Sequence, residues 1–371
     1  MKKFVFLAIV STLILSTSVM ATEVEKITWE TAMRLPAQKG YKENIGTAGL
    51  LYGVLNGKYI VAAGGANFPI KPVVEGGPKV TYSDIYLLKE EDGKLELVSQ
   101  TNFPHEIAYG SSITTKDGIY YVGGAKDSDK NDDIWYLSMK DEKLDIKKVG
   151  ELPFTFQNGQ AVMNNNKIYI IAGKQDGKAS NGFYEYDLKT NKCTKLADVP
   201  GETRTQEVAQ ILNGELYIFG GGNSKAFTDG YKYNFNTEKW TKVADVKVNG
   251  EEISVLGGNS IKLNENEMVV IGGFNKKVWD DANHYLSTLK GEELKNYKAK
   301  YFGTDPKDFN WNDQILLYNA KENSWKSLGE VPFDAPCGEG LILLDGKIIS
   351  INGEIKPGVR TSRIYVGHIE D

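Results

Sequence analysis

The chain has 371 residues, of which 41% are hydrophobic and 25% are charged, and its formal net charge is −5. These proportions are typical of a folded protein and exclude wholesale disorder, and the acidic balance provides no basic face for nucleic acid. Its 39 glycines and 20 tyrosines predict many turns that join aromatic-rich strands.

The first 21 residues form a segment of their own. Lys2 and Lys3 precede an apolar run over residues 4–15, and a stretch of small residues ends at Ala21. A basic start, a short apolar core and a small-residue exit are typical of a secretory signal peptide, and the run is short for a membrane span. We therefore expect cleavage near Ala21, no stable membrane insertion afterwards, and a periplasmic or secreted mature chain.

The rest of the chain repeats a short apolar strand that ends in small residues. The six copies are KYIVAAGG (58–65), IYYVGG (119–124), KIYIIAG (167–173), ELYIFGG (215–221), EMVVIGG (267–273) and KIISING (347–353). Tight turns such as Asn213-Gly214 and Asp345-Gly346 join many copies to a preceding strand, which is a hairpin signal. Two further strands follow, and most intervals approximate the ~50-residue kelch period.

Six such repeats predict an all-β fold, a six-bladed kelch-type β-propeller, as one domain over residues 22–371. The sixth repeat ends after its third strand, SRIYVGHI (362–369), whereas EKITWETAMRLP (25–36) has the pattern of a fourth strand. We therefore predict that the N-terminal strand closes the last blade, with residues 27–35 beside 362–368, which would hide a sheet edge.

The longest interval, between Gly273 and Gly353, contains a small helical insertion in blade 5. The segment 279–303 (WDDANHYLSTLKGEELKNYKAKYFG) predicts two short helices broken at Gly291, on the mouth that carries the site loops. A lid, a dimer contact and a loop without a role remain alternatives for it. A homodimer is therefore among the states compatible with the sequence.

Functional residues are expected at one mouth of the ring, where the first strand of each blade starts and the second ends. The side chains at these positions are largely amides, with acids and arginines among them: Asn67, Phe68, Glu106, Tyr109, Gln157, Asn158, Gln175, Arg204, Gln206, Asn223, Asn275, Glu354, Lys356 and Arg360. Amides together with arginine suit a polyhydroxylated, anionic ligand. The opposite mouth carries the tight turns and no such constellation.

Several segments resemble the N-acetylneuraminate epimerases, the kelch-type sialic-acid mutarotases. They are INGEIKPGVRTSRIY (351–365), KAKYFGTDPKDFNWNDQILLYNAKENSW (298–325), PGETRTQ (200–206), AGGANF (63–68) and IAYGSS (107–112). The resemblance covers essentially the whole mature chain but in rotated order, so the chain looks like a cyclically permuted branch of that family. Opening a closed ring at another blade boundary changes the fold little.

The resemblance implies interconversion of the α and β anomers of N-acetylneuraminate, a small acidic sugar, with no metal or redox cofactor. It implies Glu354 as the acid/base and Arg360 either as the clamp for the substrate carboxylate or as an electrostatic partner, because arginine holds carboxylates with two parallel hydrogen bonds. The remaining residues predicted to bind substrate are Arg204, Gln206, Asn67, Phe68, Asn275, Tyr109 and Glu106.

Alternatives remain at this point. Family members often carry an arginine where this chain has Ile107, so Glu106 is a second candidate for the acid/base. Glu354 and Arg360 could also pair simply to fix their loop, and Arg204 could likewise be structural. Asn67 and Asn275 follow small-residue doublets and could serve only as turn residues. A kelch propeller that binds an acidic sugar or glycan without catalysis is the main alternative function.

The sequence gives little support to disulfide or metal chemistry. Cys193 and Cys337 are its only cysteines, and neither belongs to a Cys-x-x-Cys motif or a Cys/His cluster. The three histidines are scattered along the chain, which does not favour a copper site. We interpret both cysteines as ordinary strand residues.

Overall fold

The computed structural model describes residues 26–91, 94–127, 130–141 and 143–370. The predicted signal peptide, residues 1–21, lies outside the described residues. Strands dominate the described part, which also contains two α-helices and short 3₁₀ turns. The chain is therefore mostly β, as predicted.

The described strands include six antiparallel sheets, numbered here in chain order; each has four main strands, and the first has a short fifth one. The strands of sheets 1 to 3 are Leu51–Leu55, Tyr59–Ala63, Val80–Glu91 and Lys94–Ile107; Ser111–Thr114, Ile119–Val122, Asp133–Lys140 and Lys143–Glu151; and Gln160–Asn164, Lys167–Ile171, Phe183–Asp187 and Lys192–Lys195. The second strand of each sheet is mostly buried, since it carries the repeated apolar segment.

Sheets 4 to 6 repeat this arrangement. Their strands are Val208–Leu212, Glu215–Phe219, Gly230–Asn234 and Lys239–Val243; Asn259–Lys262, Glu267–Ile271, Gln314–Asn319 and Ser324–Glu330; and Gly340–Leu344, Lys347–Ile351, Arg363–Glu370 and, from the other end of the chain, Lys26–Arg34. The predicted hairpin turns are present: Asn213 and Gly214, for example, have φ of 51° and 72°, as a two-residue hairpin turn requires.

Three small ribbons complete the β structure of the described ranges. They are Phe156–Gln157 with Lys174–Gln175 and Lys178–Ala179, Lys247–Val248 with Glu251–Glu252, and Glu354–Lys356 with Val359–Arg360; in addition, Ala66–Asn67 pairs with the start of Val80–Glu91. The third ribbon contains both predicted catalytic residues.

The first described strand completes the last sheet. Lys26–Arg34 runs antiparallel to Arg363–Glu370, with Lys26 opposite Glu370 and Arg34 opposite Arg363. Ile27 is buried against the neighbouring sheet. The predicted pairing of the two chain ends is therefore confirmed.

The hydrophobic core is divided among the spaces between neighbouring sheets. The first strand of each sheet contacts the first strands of the sheets before and after it, and that of sheet 6 contacts that of sheet 1. Val54 and Ile60 of sheet 1, for example, pack in one cluster with Ile349 and Ile364 of sheet 6. This arrangement is consistent with a β-propeller-like kelch fold.

A ring of backbone hydrogen bonds links the six sheets just before their first strands. Each ring residue donates its N–H to the carbonyl of its counterpart in the preceding sheet over 2.7–3.0 Å, and Gly49 donates to Gly338. The members all have φ between 52° and 80° and are Gly49, Tyr109, Asn158, Gln206, Gly257 and Gly338. Sheets 5, 6 and 1 thus contribute glycine to this hydrogen-bonded ring, and sheets 2, 3 and 4 contribute side chains.

The insertion in sheet 5 forms the two predicted helices. Helix α1 spans Lys276–Thr288 and helix α2 spans Gly291–Gly303, and a 3₁₀ turn follows at Pro306–Phe309. The break falls just before Gly291, whose φ is +54°. Within the described residues, neither helix combines the length and apolarity needed to cross a membrane.

Candidate active site

The predicted acid and its arginine lie on one short hairpin, Glu354–Lys356 with Val359–Arg360, here called the site hairpin. Gly358 makes its turn possible, since its φ of +85° is rarely adopted by other residues. Glu354 Oε1 accepts a hydrogen bond from the Gly358 N–H at 2.7 Å, and Oε2 accepts one from Arg360 Nη2 at 3.4 Å. The Glu354 carboxylate therefore points inward across its own hairpin.

Arg360 is buried but incompletely paired. Its guanidinium lies 4.9 Å from the centre of the Phe68 ring, and its side chain is 3% exposed. Nε and Nη1 have no hydrogen-bond partner among the described residues. Buried polar groups are nearly always paired, so two free N–H donors beside a carboxylate are what a bound anion would occupy.

A cavity of about 90 Å³ opens along the hydrogen-bonded ring and reaches Glu354. Its wall includes Tyr109 and Gln206, two of the predicted binding residues, and the neighbouring ring member Asn158. Lys79 Nζ lies 4.9 Å from the centre of the Tyr109 ring. The structure therefore brings Glu354, Arg360, Phe68, Tyr109 and Gln206 to the predicted mouth.

A larger cavity, of about 770 Å³, opens at the opposite mouth. Aliphatic residues such as Ile211 and Leu343 line much of it, although Lys262 and Asp345 lie at its edge. We prefer the smaller cavity as the candidate site because it contains the carboxylate that is paired with an incompletely satisfied cation.

Two buried acids near the ring were not predicted. Glu207 and Glu339 directly follow the ring members Gln206 and Gly338, and burial raises the pKa of each carboxyl to about 8. The Gln160 N–H donates to Glu207 Oε1 at 3.1 Å, whereas neither Glu339 oxygen has a hydrogen bond of good geometry among the described residues. At the position after the ring member, the other four repeats have glycine or leucine. The acid in these two repeats was therefore the signal that the sequence offered.

Arg204 does not fit the predicted role in substrate binding. It is fully buried and makes a two-bond ion pair with Asp229, at 2.7 and 2.8 Å. It also donates to the carbonyls of Pro200, Glu202 and Gly220. Because every N–H group of its guanidinium is bonded to the protein, Arg204 has a structural role. This corrects its predicted role in substrate binding.

Two further predicted binding residues also have other partners. Asn67 is buried, donates to the Gly46 carbonyl and accepts from the Tyr82 hydroxyl, both at 2.6 Å. Asn275 caps helix α1 by accepting from the Val278 N–H at 3.1 Å. These side chains stabilise loops, which corrects their predicted contact with substrate.

Glu106 is partly exposed and pairs with Lys126, and it does not line the cavity near Glu354. This position favours Glu354 over Glu106 as the acid/base.

The cysteines are unpaired in the structure. Cys193 lies in the strand Lys192–Lys195, as predicted, whereas Cys337 precedes a strand and exchanges two backbone hydrogen bonds of 2.8 Å with Glu354. Within the described ranges, no three His, Cys, Asp or Glu side chains cluster as a metal site. That no cofactor is needed remains an expectation.

A family model described as N-acetylneuraminate epimerase matches residues 149–371, which is more than half of the chain and includes the site hairpin. The chain belongs to the N-acetylneuraminate epimerase family. The predicted family resemblance is thereby confirmed.

Curated relatives of the same description are about one-third identical. The N-acetylneuraminate epimerase of Salmonella paratyphi B is 31% identical over 194 residues, which cover 50% of each chain. That of Yersinia enterocolitica is 33% identical over 192 residues, which cover 49% of each. The chain spans about half the length of the curated relatives it matches.

The solved structure of YjhT is also similar. It superposes with a TM-score of 0.52 and 26% identity, covering 58% of this chain and 63% of that one. This likeness supports the β-propeller-like description of the fold.

Proposed function

We propose that the chain is an isomerase that interconverts the α and β anomers of N-acetylneuraminate by opening and reclosing the sugar ring. The observation that carries this proposal is the arrangement at the site hairpin, where Glu354 lines the cavity and Arg360 keeps two N–H donors free. Family membership supports the choice of sugar, since the matched relatives are described as epimerases of N-acetylneuraminate.

The chemistry needs one proton acceptor close to the anomeric carbon. Glu354 takes the proton of the anomeric hydroxyl, the hydroxyl oxygen forms a carbonyl, and the bond from the anomeric carbon to the ring oxygen breaks. The Glu354 carboxyl then returns this proton to the ring oxygen. When the carbonyl rotates and the ring closes on its other face, the same steps in reverse give the other anomer.

Arg360 would hold the carboxylate of the sugar. Its free Nε and Nη1 can each donate a hydrogen bond to a substrate oxygen, while Nη2 keeps its contact with Glu354. Phe68 supports the guanidinium from one face. The ring residues Tyr109 and Gln206 would contact the hydroxyl and N-acetyl groups from the cavity wall.

The same proposal extends to the architecture. We take the six sheets to be the blades of one closed six-bladed domain over residues 22–371, cyclically permuted relative to the matched relatives. The cyclic contacts of the first strands and the hydrogen-bonded ring support closure. Permutation accounts for matches that cover only about half of each chain, since a collinear comparison can follow only one side of a cut ring.

The proposed location is the periplasm or the exterior, after cleavage near Ala21. The pattern of residues 1–21 supports it. N-terminal sequencing of the mature chain from its host would test it, and retention of Met1 to Ala21 would contradict it.

Proton NMR of freshly released α-N-acetylneuraminate tests the function directly. The mature chain should speed the approach to the anomeric equilibrium, and Glu354→Ala should abolish this acceleration. Glu106→Ala is the matched control, because it removes a partly exposed acid of the same mouth. Loss of activity in the control alone would transfer the acid/base role to Glu106.

A binding protein without catalysis is the second candidate, and one observation favours it. Both carboxylate oxygens of Glu354 already accept hydrogen bonds within the site hairpin, so the pair could serve only to fix the loop. Calorimetric binding of N-acetylneuraminate without any acceleration of anomer exchange would support this alternative.

A further inference from the structure

The helical insertion of sheet 5 is attached to the site hairpin of sheet 6. Lys356 Nζ donates to the carbonyls of Phe302 and Thr304, at 3.2 and 2.8 Å. These carbonyls lie at the C-terminal end of helix α2, where carbonyl groups lack intrahelical partners and the helix dipole is negative. A lysine between the two catalytic candidates therefore holds the end of that helix.

An aromatic cluster provides the second attachment. Phe309 and Trp311, just beyond helix α2, are buried together with Cys337, whose backbone is bonded to Glu354. Tyr301, in the last turn of α2, packs against this cluster with its ring 5.3 Å from that of Phe309. The 3₁₀ turn Pro306–Phe309 also contacts Glu354–Lys356.

The insertion reaches sheet 1 as well. Helix α2 contacts the 3₁₀ turn Val73–Glu75, and a Cβ placed on Gly358 would lie 2.5 Å from Val73 Cγ1. The insertion thus extends from sheet 5 past the hairpin of sheet 6 to a loop of sheet 1. These are the sheets that contribute glycine to the hydrogen-bonded ring, so the insertion lies over the side of the mouth where the ring has no side chains.

Tyr301 carries a hydroxyl that the protein leaves free. Its Oη has no hydrogen-bond partner among the described residues, although the ring is half-buried. Burial, followed by Tyr297 and then Glu354, raises the pKa of Tyr301, so the hydroxyl keeps its proton and can donate it. Geometry places Tyr301 near that acid, because its ring packs against the cluster that contains Cys337, whose backbone is hydrogen-bonded to Glu354.

We propose that the insertion completes the active site, with Tyr301 as a further substrate-contacting residue and Lys356 as the positioning residue that holds helix α2 over the site hairpin. This rests on the proposed function. The Tyr301 hydroxyl would donate to an oxygen of the sugar. This oxygen would lie on the glycine side of the hydrogen-bonded ring, where Tyr109, Asn158 and Gln206 do not reach.

Tyr301→Phe tests the contact. It removes one oxygen while leaving the ring packed, and loss of one hydrogen bond to substrate should lower kcat/KM for anomer exchange about tenfold. Tyr297→Phe is the matched control, because it removes a hydroxyl one turn earlier on the same helix, from a ring stacked 6.0 Å from that of Tyr301. The control should stay within about twofold of the native chain.

Lys356→Met tests the attachment by a measurement that needs no sugar. Amide hydrogen exchange over residues 291–304 should become faster by about tenfold or more, because the end of α2 loses its cation. Lys298→Met, at an exposed lysine of the same helix, should leave amide exchange unchanged. Lys356→Met should also raise KM for the sugar, whereas Lys356→Arg, which keeps the cation, should retain native protection and native KM.

The outcomes separate the two proposals. If the native chain accelerates anomer exchange but Tyr301→Phe behaves like Tyr297→Phe, the contact is refuted and the proposed function stands. If Lys356→Met leaves exchange over 291–304 unchanged, the attachment is refuted. If the native chain neither binds nor isomerises N-acetylneuraminate, the proposed function and the Tyr301 contact both fail.

Discussion

The two buried arginines differ in how much of each guanidinium the protein occupies. Arg204 has an acidic partner and three carbonyls, whereas Arg360 has one long contact to Glu354 and two free N–H groups. Sequence could nominate both as ligands for an anion. It could not separate them, because the group that neutralises Arg204 is Asp229, a residue 25 positions later that no local pattern links to it.

Replacing Asp229 should therefore reduce stability and leave the site chemistry intact. Asp229→Ala leaves the Arg204 charge buried without a partner, and we expect a loss of about 3 kcal/mol in the free energy of unfolding. Urea unfolding measures it. Asp198→Ala, which removes the exposed pair with Lys195, should cost less than about 1 kcal/mol. Equal effects of the two changes would contradict a structural Arg204.

The buried acids predict how stability depends on pH. In the folded state Glu207 and Glu339 keep their protons up to about pH 8, whereas the unfolded carboxyl loses its proton near 4.5. Between these values the folded state binds more protons, so each acid makes the free energy of unfolding fall by about 1.4 kcal/mol per pH unit as pH rises.

Glu339→Gln should remove one such contribution. Thermal unfolding at pH 5 and pH 7.5 should show the variant gaining stability over the native chain at the higher pH. Glu330→Gln, at an exposed position, serves as the control. Parallel pH profiles for the native chain and Glu339→Gln would contradict the raised pKa.

Among the elements, the site hairpin depends on its glycine. Gly358→Ala places a Cβ against Val73 at a φ of +85°, so the turn must shift and Glu354 loses the N–H that orients it. We expect kcat/KM for anomer exchange to fall at least tenfold while the melting temperature changes little, since the hairpin lies outside the sheet cores.

Gly346→Ala gives the matched comparison for that element. It has a similar φ of +72° in another hairpin turn, and a Cβ there would meet nothing within 4 Å. Both substitutions introduce the same kind of backbone strain. Only Gly358→Ala should lower the rate of anomer exchange, because only it displaces the site hairpin. An unaltered rate in Gly358→Ala would show that the hairpin does not position the acid.

The elements themselves could largely be predicted, because their signals are local. Paired Asn-Gly and Asp-Gly turns, alternating apolar strands and a helix-forming insertion all determine their own conformation. The roles of Asn67 and Asn275 could not be predicted, since an asparagine at a loop start looks the same whether it binds a ligand or caps a helix. Partners distant in sequence decide between the two.

At the scale of the whole molecule, the pairing of the chain ends allows a direct test. Because Lys26 lies opposite Glu370, a short hairpin linker should join the two ends without strain. New termini between Asn249 and Gly250, at an exposed ribbon tip, should then give a permuted chain with native circular dichroism and anomer exchange within about threefold of the native rate. A permuted chain that fails to fold would count against ends that meet in one sheet.

The repeat number and the meeting of the ends were visible in the sequence, whereas the hydrogen-bonded ring was not. Its positive φ angles could be suspected at Gly49, Gly257 and Gly338 but not at Tyr109 or Gln206, side chains that rarely adopt them. The ring exists only when all six sheets are assembled, so no single repeat carries its signal. The sequence therefore located the mouth that carries the site. It did not show which sheets contribute side chains to the hydrogen-bonded ring there and which contribute glycine.

The hydrogen-bonded ring also determines how strongly the backbone attracts an anion. Six peptide dipoles arranged head to tail around a circle largely cancel, unlike the aligned dipoles of a helix, and their N–H groups are all occupied by one another. The axis of the molecule therefore offers an arriving anion almost no backbone attraction, in contrast to a helix N-terminus. In a chain of net charge −5, capture of an acidic sugar would depend on side-chain cations alone. Its association rate should accordingly respond to salt through Arg360 and the lysines around the mouth.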